Sequence, residues 1–173
     1  CQASQIVPIV EPEVLMDGAH TLKHCAEVTG ATLKTAFDEL YTHQVALEGM
    51  LLKPNMVISG MKCATQAGVE QVAQETVRIL KQRVPAAVPG IVFLSGGQSA
   101  ALATAHLNAM NALGSYPWVL SYSYGRALQE PALAAWKGQE ASVAAGQKAL
   151  HHRAQCNSAA CAAAYSAGME KAA

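Results

Sequence analysis

The 173-residue sequence lacks any apolar run long enough to cross a membrane, and residues 1–20 lack the basic stretch and apolar core of a signal peptide. An excess of charge of one sign is also missing, because 12 basic and 12 acidic residues leave a formal net charge of +0. A neutral balance gives no electrostatic reason to expect nucleic acid or an anionic membrane as a partner. We therefore expect a cytoplasmic protein that binds neither of them.

Paired cysteines are absent as well. The cysteines are odd in number and not closely spaced: Cys1, Cys25, Cys63, Cys156 and Cys161. This pattern disfavours a disulfide framework and fits a reducing compartment. There is no C-x-x-C motif, and the spacing of the last two cysteines and of the adjacent His151 and His152 fits neither a zinc finger nor one helix face. We predict no metal site.

The composition that is present is that of one globular domain. Hydrophobic residues make up 51% of the chain and charged residues 14%, which is not the balance of a disordered protein. The length is sufficient for one domain with a sizeable core. No internal repeat and no linker divides it.

Strand and helix patterns alternate along the chain. Apolar or β-branched segments that end in Gly, Pro or polar residues predict buried strands over residues 5–13, 45–57, 90–97 and 118–125. Apolar positions spaced by three or four predict helices over residues 20–42, 69–83, 99–113, 128–136 and 140–165. This alternation predicts an α/β fold with parallel strands and right-handed crossovers.

Two α/β architectures fit this order: an open doubly wound sheet, or part of a (β/α)₈ barrel. The G-x-G-x-x-G motif that would favour the first is absent after the first strand. A complete barrel takes about 250 residues, so the barrel hypothesis makes this chain half of one.

A lysine lies inside the apolar segment "LEGMLLKPNMV", residues 47–57. Such a lysine either extends along its methylenes to solvent or is functional. Strict alternation places Lys53 on the same strand face as Gly49, Leu51 and Asn55. A desolvated lysine loses its proton more readily, and its neutral amine can then attack a carbonyl to form a Schiff base. The protonated imine stabilises a neighbouring carbanion, as the cleavage of a carbon–carbon bond beside a ketone requires.

Two carboxylates end the first predicted strand. Glu11 and Glu13 are two residues apart and therefore share one strand face. Imine formation needs a proton donor and acceptor, and a carboxylate on the strand next to Lys53 suits that task. We expect Glu11 to serve there, with a solvated surface pair as the alternative.

Two polar turns follow the last two predicted strands. "SGGQS", residues 95–99, precedes a helix, and its glycines let backbone N–H groups approach a phosphate. "SYGR" ends at Arg126, and arginine binds phosphate with two parallel hydrogen bonds. Barrels often build a phosphate site from the loops after their last two strands. The first turn alone is a weak signal, but the pair is stronger.

Four motifs together resemble the class I, Schiff-base fructose-1,6-bisphosphate aldolase family: "IVPIVEPE", "LEGMLLKPNMV", "FLSGGQS" and "SYGRALQ". The resemblance implies a TIM (β/α)₈ barrel of which this chain holds strands 5 to 8. Residues 1–173 are then the C-terminal half of one barrel domain, with residues 138–173 as its C-terminal helix and tail. It also implies a homotetramer of glycolysis and gluconeogenesis that needs no cofactor.

The same resemblance assigns roles to residues. Lys53 matches the Schiff-base lysine, Glu11 the acid/base for imine formation, and Glu13 a second glutamate near the lysine. A further set matches the binding site for the ketose C1 phosphate: Ser95, Gly96, Gly97, Gly125 and Arg126. Leu94 and Ser123 lie beside them.

The implied function is the reversible cleavage of fructose 1,6-bisphosphate to dihydroxyacetone phosphate and glyceraldehyde 3-phosphate. The resemblance places the first four strands, the aspartate for the C4 hydroxyl and the basic residues for the C6 phosphate outside this chain. Tyr165 does not match the terminal tyrosine of many family members. Alternatives are a Schiff-base aldolase for another phosphorylated ketose, a non-catalytic scaffold, and a half-barrel that assembles with a second copy.

Overall fold

The computed structural model describes residues 1–172. Within that range the strands are β1 (Ile9–Val10), β2 (Leu51–Leu52), β3 (Gly90–Phe93) and β4 (Val119–Tyr122). The α-helices are α1 (Leu22–Thr42), α2 (Val69–Arg83), α3 (Ala100–Ala112), α4 (Arg126–Trp136) and α5 (Val143–Cys161). The predicted helices are confirmed, with ends shifted by a few residues at most.

The predicted strands are too long, above all the first two. Residues Gln2–Ser4 and Leu47–Gly49, expected beside or inside strands, form 3₁₀ turns instead. The Gln2 side chain joins these turns, because its Nε2 donates to the Ala46 carbonyl at 2.7 Å and its Oε1 accepts from the Ala46 amide at 3.1 Å. Pro54, which has no N–H, follows β2 closely. An apolar run alone does not show where ladder pairing stops.

The four strands form one parallel sheet in the order β1-β2-β3-β4. Parallel pairing is therefore confirmed. Successive helices pack on one another, α1 on α2 and α2 on α3, so they lie on one face of the sheet. A doubly wound sheet would carry helices on both faces, and that alternative is wrong for the described residues.

Burial alternates along the strands as this one-sided cover requires. Leu52, Ile91, Phe93 and Leu120 face the helices and are buried, in a core shared with helix residues such as Leu107. On the opposite face Ile9 is 52% exposed, and Leu51 and Val92 are only half-buried. The sheet therefore has an open face that is apolar.

Side chains fix where two of the helices begin. The Thr21 hydroxyl accepts from the His24 amide at 3.3 Å, and the Ser99 hydroxyl accepts from the Leu102 amide at 3.3 Å. Both are N-caps, which satisfy amides that the first helical turn leaves without partners. Ser99 therefore starts α3 directly after the glycine turn that follows β3.

The cysteines are all free thiols. Over residues 1–172, no helix combines the length and the apolar character that a membrane crossing needs.

The isolated chain 1–173 should bind a hydrophobic dye strongly and self-associate. The open face and the edges at β1 and β4 expose apolar side chains, including Ile9 at 52% and Val119 at 70%, next to unpaired strand backbone. Dye fluorescence and light scattering, compared with a longer protein whose further strands cover these surfaces, measure this. A dye-silent monomer that melts cooperatively would contradict the expectation.

Candidate active site

The residues singled out from the sequence follow the carboxyl ends of the four strands. Glu11 and Glu13 come after β1, Lys53 after β2, Ser95–Gly97 after β3, and Gly125 with Arg126 after β4. Because the strands are parallel, these segments lie along the same edge of the sheet, where α/β proteins place their sites.

Lys53 and Glu11 form an ion pair. Lys53 Nζ lies 3.1 Å from Glu11 Oε1, and the two side chains are 20% and 43% exposed. The Lys53 amide donates to the Val10 carbonyl at 2.7 Å, so the backbone fixes this contact as well. The lysine is thus mostly covered and held by a carboxylate from the neighbouring strand.

Asn55 does not share the face of Lys53, so that expectation is wrong. Its side chain is buried and donates from Nδ2 to Thr29 Oγ1 of α1 at 3.0 Å. Its Oδ1 accepts from the Val14 amide at 3.2 Å. Strict alternation fails because β2 ends at Leu52 and Pro54 follows. Asn55 instead ties the segment that carries both glutamates to the first helix.

The turn after β3 needs its two glycines. Gly96 has φ of 56° and Gly97 of 75°, a region that side chains disfavour. A Cβ on Gly97 would also lie 3.0 Å from Met61 Sδ. The turn is closed by a backbone hydrogen bond, in which the Gln98 N–H donates to the Ser95 carbonyl at 3.1 Å.

A cavity of about 230 Å³ opens between these segments. Glu13 and Asp17 from the segment after β1 line it together with Gly96, Gly97 and Arg126 from the turns after β3 and β4. Two carboxylates, a guanidinium and the glycine turn therefore border the same cavity. Within it, an anion is favoured beside the guanidinium and disfavoured beside the carboxylates.

The sequence did not point to Leu15, Met16, Asp17 and Met61, which also line this cavity. Two loops bring them there. The Met61 amide donates to the Met16 carbonyl at 2.8 Å, and the Lys62 amide to the Gly18 carbonyl at 3.0 Å. A Cβ on Gly60 would lie 2.2 Å from the Gly18 oxygen. A glycine at position 60 is therefore the sequence feature that could have indicated the close approach of the two loops.

The remaining predicted site residues lie in or beside the turns after β3 and β4. Ser95 and Leu94 are buried at the base of the glycine turn, Ser123 is half-buried after β4, and Gly125 is the N-cap of α4. The Tyr124 hydroxyl donates to the Ala103 carbonyl of α3 at 2.9 Å, and burial raises the pKa of this phenol. Tyr124 thereby anchors the chain directly before Gly125 and Arg126.

A separate group of metal-ligating side chains, His152, Cys156 and Glu170, comes together beside α5. The Glu170 carboxylate already accepts from the Arg153 guanidinium at 2.6 and 2.9 Å and from the Tyr165 hydroxyl at 2.6 Å. The hydrogen bond from Arg153 is the main cause that lowers the pKa of Glu170. The ion pair with the buried Arg153 guanidinium explains why the Glu170 carboxylate lies here. The absence of a metal site stays a prediction.

Comparisons with known proteins show the family of this chain. The family model for fructose-bisphosphate aldolase class-I covers residues 1–173. The chain belongs to this family. An aldolase of Dictyostelium discoideum is 54% identical over 158 residues, and one of Toxoplasma gondii is 53% identical over 157 residues. Each match covers 91% of this chain.

A solved aldolase shares the fold. The fructose-bisphosphate aldolase of Plasmodium falciparum, crystallised in complex with TRAP and a small-molecule inhibitor, superposes with a TM-score of 0.95 at 48% identity over 97% of this chain. The chain covers 48% of that protein, and 44% and 43% of the Dictyostelium and Toxoplasma aldolases. It therefore spans less than half the length of these relatives.

Replacing Asn55 by Ala should destabilise the protein by about 1–3 kcal/mol for each buried partner left unpaired. The Val14 amide and the Thr29 hydroxyl would both lose a partner. Chemical denaturation of a protein that contains this chain measures the loss, with Gln147→Ala on the exposed side of α5 as the control. Equal stability of the two variants would contradict the anchoring role of Asn55.

Proposed function

We propose that residues 1–173 are the C-terminal half of a (β/α)₈ barrel, strands 5 to 8, in a class I fructose-bisphosphate aldolase. The full enzyme cleaves fructose 1,6-bisphosphate reversibly to dihydroxyacetone phosphate and glyceraldehyde 3-phosphate through a Schiff base on Lys53. The observation that carries this is the 3.1 Å contact between Lys53 Nζ and Glu11 Oε1 at the carboxyl end of a parallel sheet.

The one-sided sheet supports the half-barrel. Four parallel strands in sequential order, with helices on one face and an apolar open face, have the layout of a barrel cut lengthwise. In a complete barrel the open face, with Ile9, Leu51 and Val92, becomes the packed interior. The remaining strands would pair with β1 and β4 and remove both edges.

The ion pair supplies what imine formation needs. Glu11 can take a proton from the Lys53 ammonium across the 3.1 Å contact, which leaves a neutral amine and a carboxylic acid. The amine attacks C2 of the ketose and gives a carbinolamine. Glu11 then returns its proton to the carbinolamine oxygen, which leaves as water, and a protonated imine remains on Lys53.

The imine then accepts electrons from the bond that breaks. When C3–C4 cleaves, its electron pair moves toward the positively charged nitrogen and forms an enamine. The C4 hydroxyl must lose its proton in the same step, and the residue for this lies outside residues 1–173. Protonation of C3 and hydrolysis of the imine release dihydroxyacetone phosphate and restore Lys53.

The cavity that Arg126 lines fits the C1 phosphate. Arg126 offers a guanidinium, and Ser95, Gly96, Gly97 and Gly125 offer a hydroxyl and backbone N–H groups at the starts of α3 and α4. Leu94 and Ser123 support these turns. The carboxylates of Glu13 and Asp17 line the same cavity and disfavour a phosphate beside them. We therefore place the phosphate at Arg126 and the glycine turn, with C2 toward Lys53.

A homotetramer, a cytoplasmic location, and the absence of a cofactor, nucleic acid or membrane partner are further parts of this proposal. The tetramer and the absence of a cofactor depend on the family alone, and the other parts depend also on the neutral charge and the odd number of cysteines. Glu13 lines the cavity that Arg126 also lines, so we place it at the substrate as the second glutamate.

Lys53 should carry the imine in the full-length protein that contains this chain. Borohydride added with dihydroxyacetone phosphate should reduce the imine and leave a stable adduct on the peptide with Lys53, seen by mass spectrometry. Lys53→Arg should abolish cleavage, because a guanidinium does not yield a free amine. Lys34→Arg, on the exposed side of α1, is the matched control. An adduct on another lysine of the active enzyme would contradict the assignment of the Schiff base to Lys53.

Arg126→Ala should weaken binding of dihydroxyacetone phosphate by roughly 10- to 150-fold, the value of a hydrogen bond to a charged group. Binding of phosphate-free dihydroxyacetone should change little, since it makes no contact with the guanidinium. The control is Arg78→Ala, which breaks only a surface pair with Glu75. Equal effects on both ligands would refute a phosphate role for Arg126.

A further inference from the structure

The glycine turn after β3 has open space on both of its sides. On one side lies the cavity with Arg126, and on the other a second cavity of about 290 Å³. Ile58, Ser59 and Gln66 line the second cavity together with Leu102 and His106 of α3, and Gly96 and Gly97 line both. The turn therefore borders two open spaces, and hydrogen bonds help to hold it.

One chain of hydrogen bonds reaches the turn from α3. Gln98 Nε2 donates to the Ser95 carbonyl at 2.8 Å and lies 3.6 Å from Met56 Sδ. Gln98 Oε1 lies 2.5 Å from His106 Nδ1. His106 is 2% exposed, so the far end of the chain is fixed inside the core.

The donors in this chain follow from its geometry. The side-chain nitrogen of Gln98 donates to the Ser95 carbonyl, so the side-chain oxygen faces His106. Because that oxygen can only accept, His106 Nδ1 must carry the hydrogen. His106 Nε2 is then a bare acceptor, and it has no hydrogen-bond partner among residues 1–172. Burial lowers the pKa of His106 to about 4, so this neutral tautomer is the form present at neutral pH.

We propose that His106 is a positioning residue which, through Gln98, fixes the Ser95–Gly97 turn and thereby sets the affinity of the site for the substrate phosphate. This rests on the aldolase function proposed above. The donor at Nδ1 holds the Gln98 side chain in the one orientation that clamps the Ser95 carbonyl. The Ser95 hydroxyl and the following N–H groups then point at the phosphate before it arrives, so binding does not have to order them.

A buried histidine that only fills the core would behave differently. Its loss would lower the stability of the protein and impair every ligand to a similar degree. A positioning role for the phosphate turn instead separates phosphorylated from phosphate-free ligands. It also depends on the donor at Nδ1, which an asparagine amide can replace at nearly the same position and a leucine cannot.

The test uses the full-length protein, with dihydroxyacetone phosphate and dihydroxyacetone as probes. His106→Leu should weaken binding of the phosphorylated probe by about 5- to 30-fold, the effect of one or two kcal/mol. KM for fructose 1,6-bisphosphate should rise much more than kcat falls, because the lost contacts serve substrate and transition state alike. Dihydroxyacetone should bind as before, and His106→Asn should restore most of the affinity.

Two further variants keep the test sharp. Gln98→Leu combined with His106→Leu should be little worse than either alone, since both cut one chain. If His106→Leu does not fold, Gln98→Glu replaces it: this side chain still accepts from His106 but presents an oxygen to the Ser95 carbonyl, and it should lose phosphate affinity. His151→Leu, on the exposed side of α5, is the control.

Equal weakening of both probes, or a folded His106→Asn variant that restores nothing, would overturn the positioning role. Wild-type affinity in Gln98→Glu would overturn it as well. These failures differ from a failure of the proposed function, because borohydride trapping on Lys53 would still succeed in the wild-type protein. If trapping itself fails there, the aldolase function falls, and the proposal about His106 falls with it.

Discussion

The register between β1 and β2 is the constraint on which the site depends. Val10 lies opposite Leu52, so the next residues along the two strands, Glu11 and Lys53, come side by side on one face. A slip of one residue would send them to opposite faces and separate the acid from the amine. A ladder of two residue pairs is short for such a task, and contacts outside the ladder strengthen it. Gln2 holds the loop before β2, and Asn55 holds the segment after β1.

Around this pair, the helices carry the residues that anchor the site, and the short turns carry the residues of the site itself. The helices pack on one face of the sheet and carry the anchors: Thr29 on α1 for Asn55, Ala103 on α3 for Tyr124, and His106 on α3 for Gln98. The turns at the strand ends carry the groups that would meet substrate. Acidic side chains follow β1, and the guanidinium and glycine turn follow β3 and β4. The proposed substrate, a ketose with a terminal phosphate, would place its carbonyl near the amine and its phosphate at the guanidinium.

Much of this could be predicted from the sequence, and the rest depends on contacts that local patterns do not encode. The helices follow from apolar periodicity, and parallel pairing follows from the alternation of elements. The strand ends were misplaced because an apolar run does not reveal the 3₁₀ turn at residues 47–49. Asn55 was assigned to the wrong face because alternation stops with the strand. His106 gave no signal, since its partner Gln98 lies in the turn before α3 and not on the helix. The loop residues Met16 and Met61 gave none, since each pairs with another loop.

The central claim is that Lys53, Glu11 and the two phosphate turns act together on one ketose. A crystal structure of the full-length protein soaked with dihydroxyacetone phosphate tests it most directly. The account predicts continuous density from Lys53 Nζ to C2 of the ligand, a Glu11 oxygen within hydrogen-bond distance of the linkage, and the phosphate against Arg126 and the Ser95–Gly97 turn. A ligand bound covalently elsewhere, or a phosphate seated away from both turns, would contradict it.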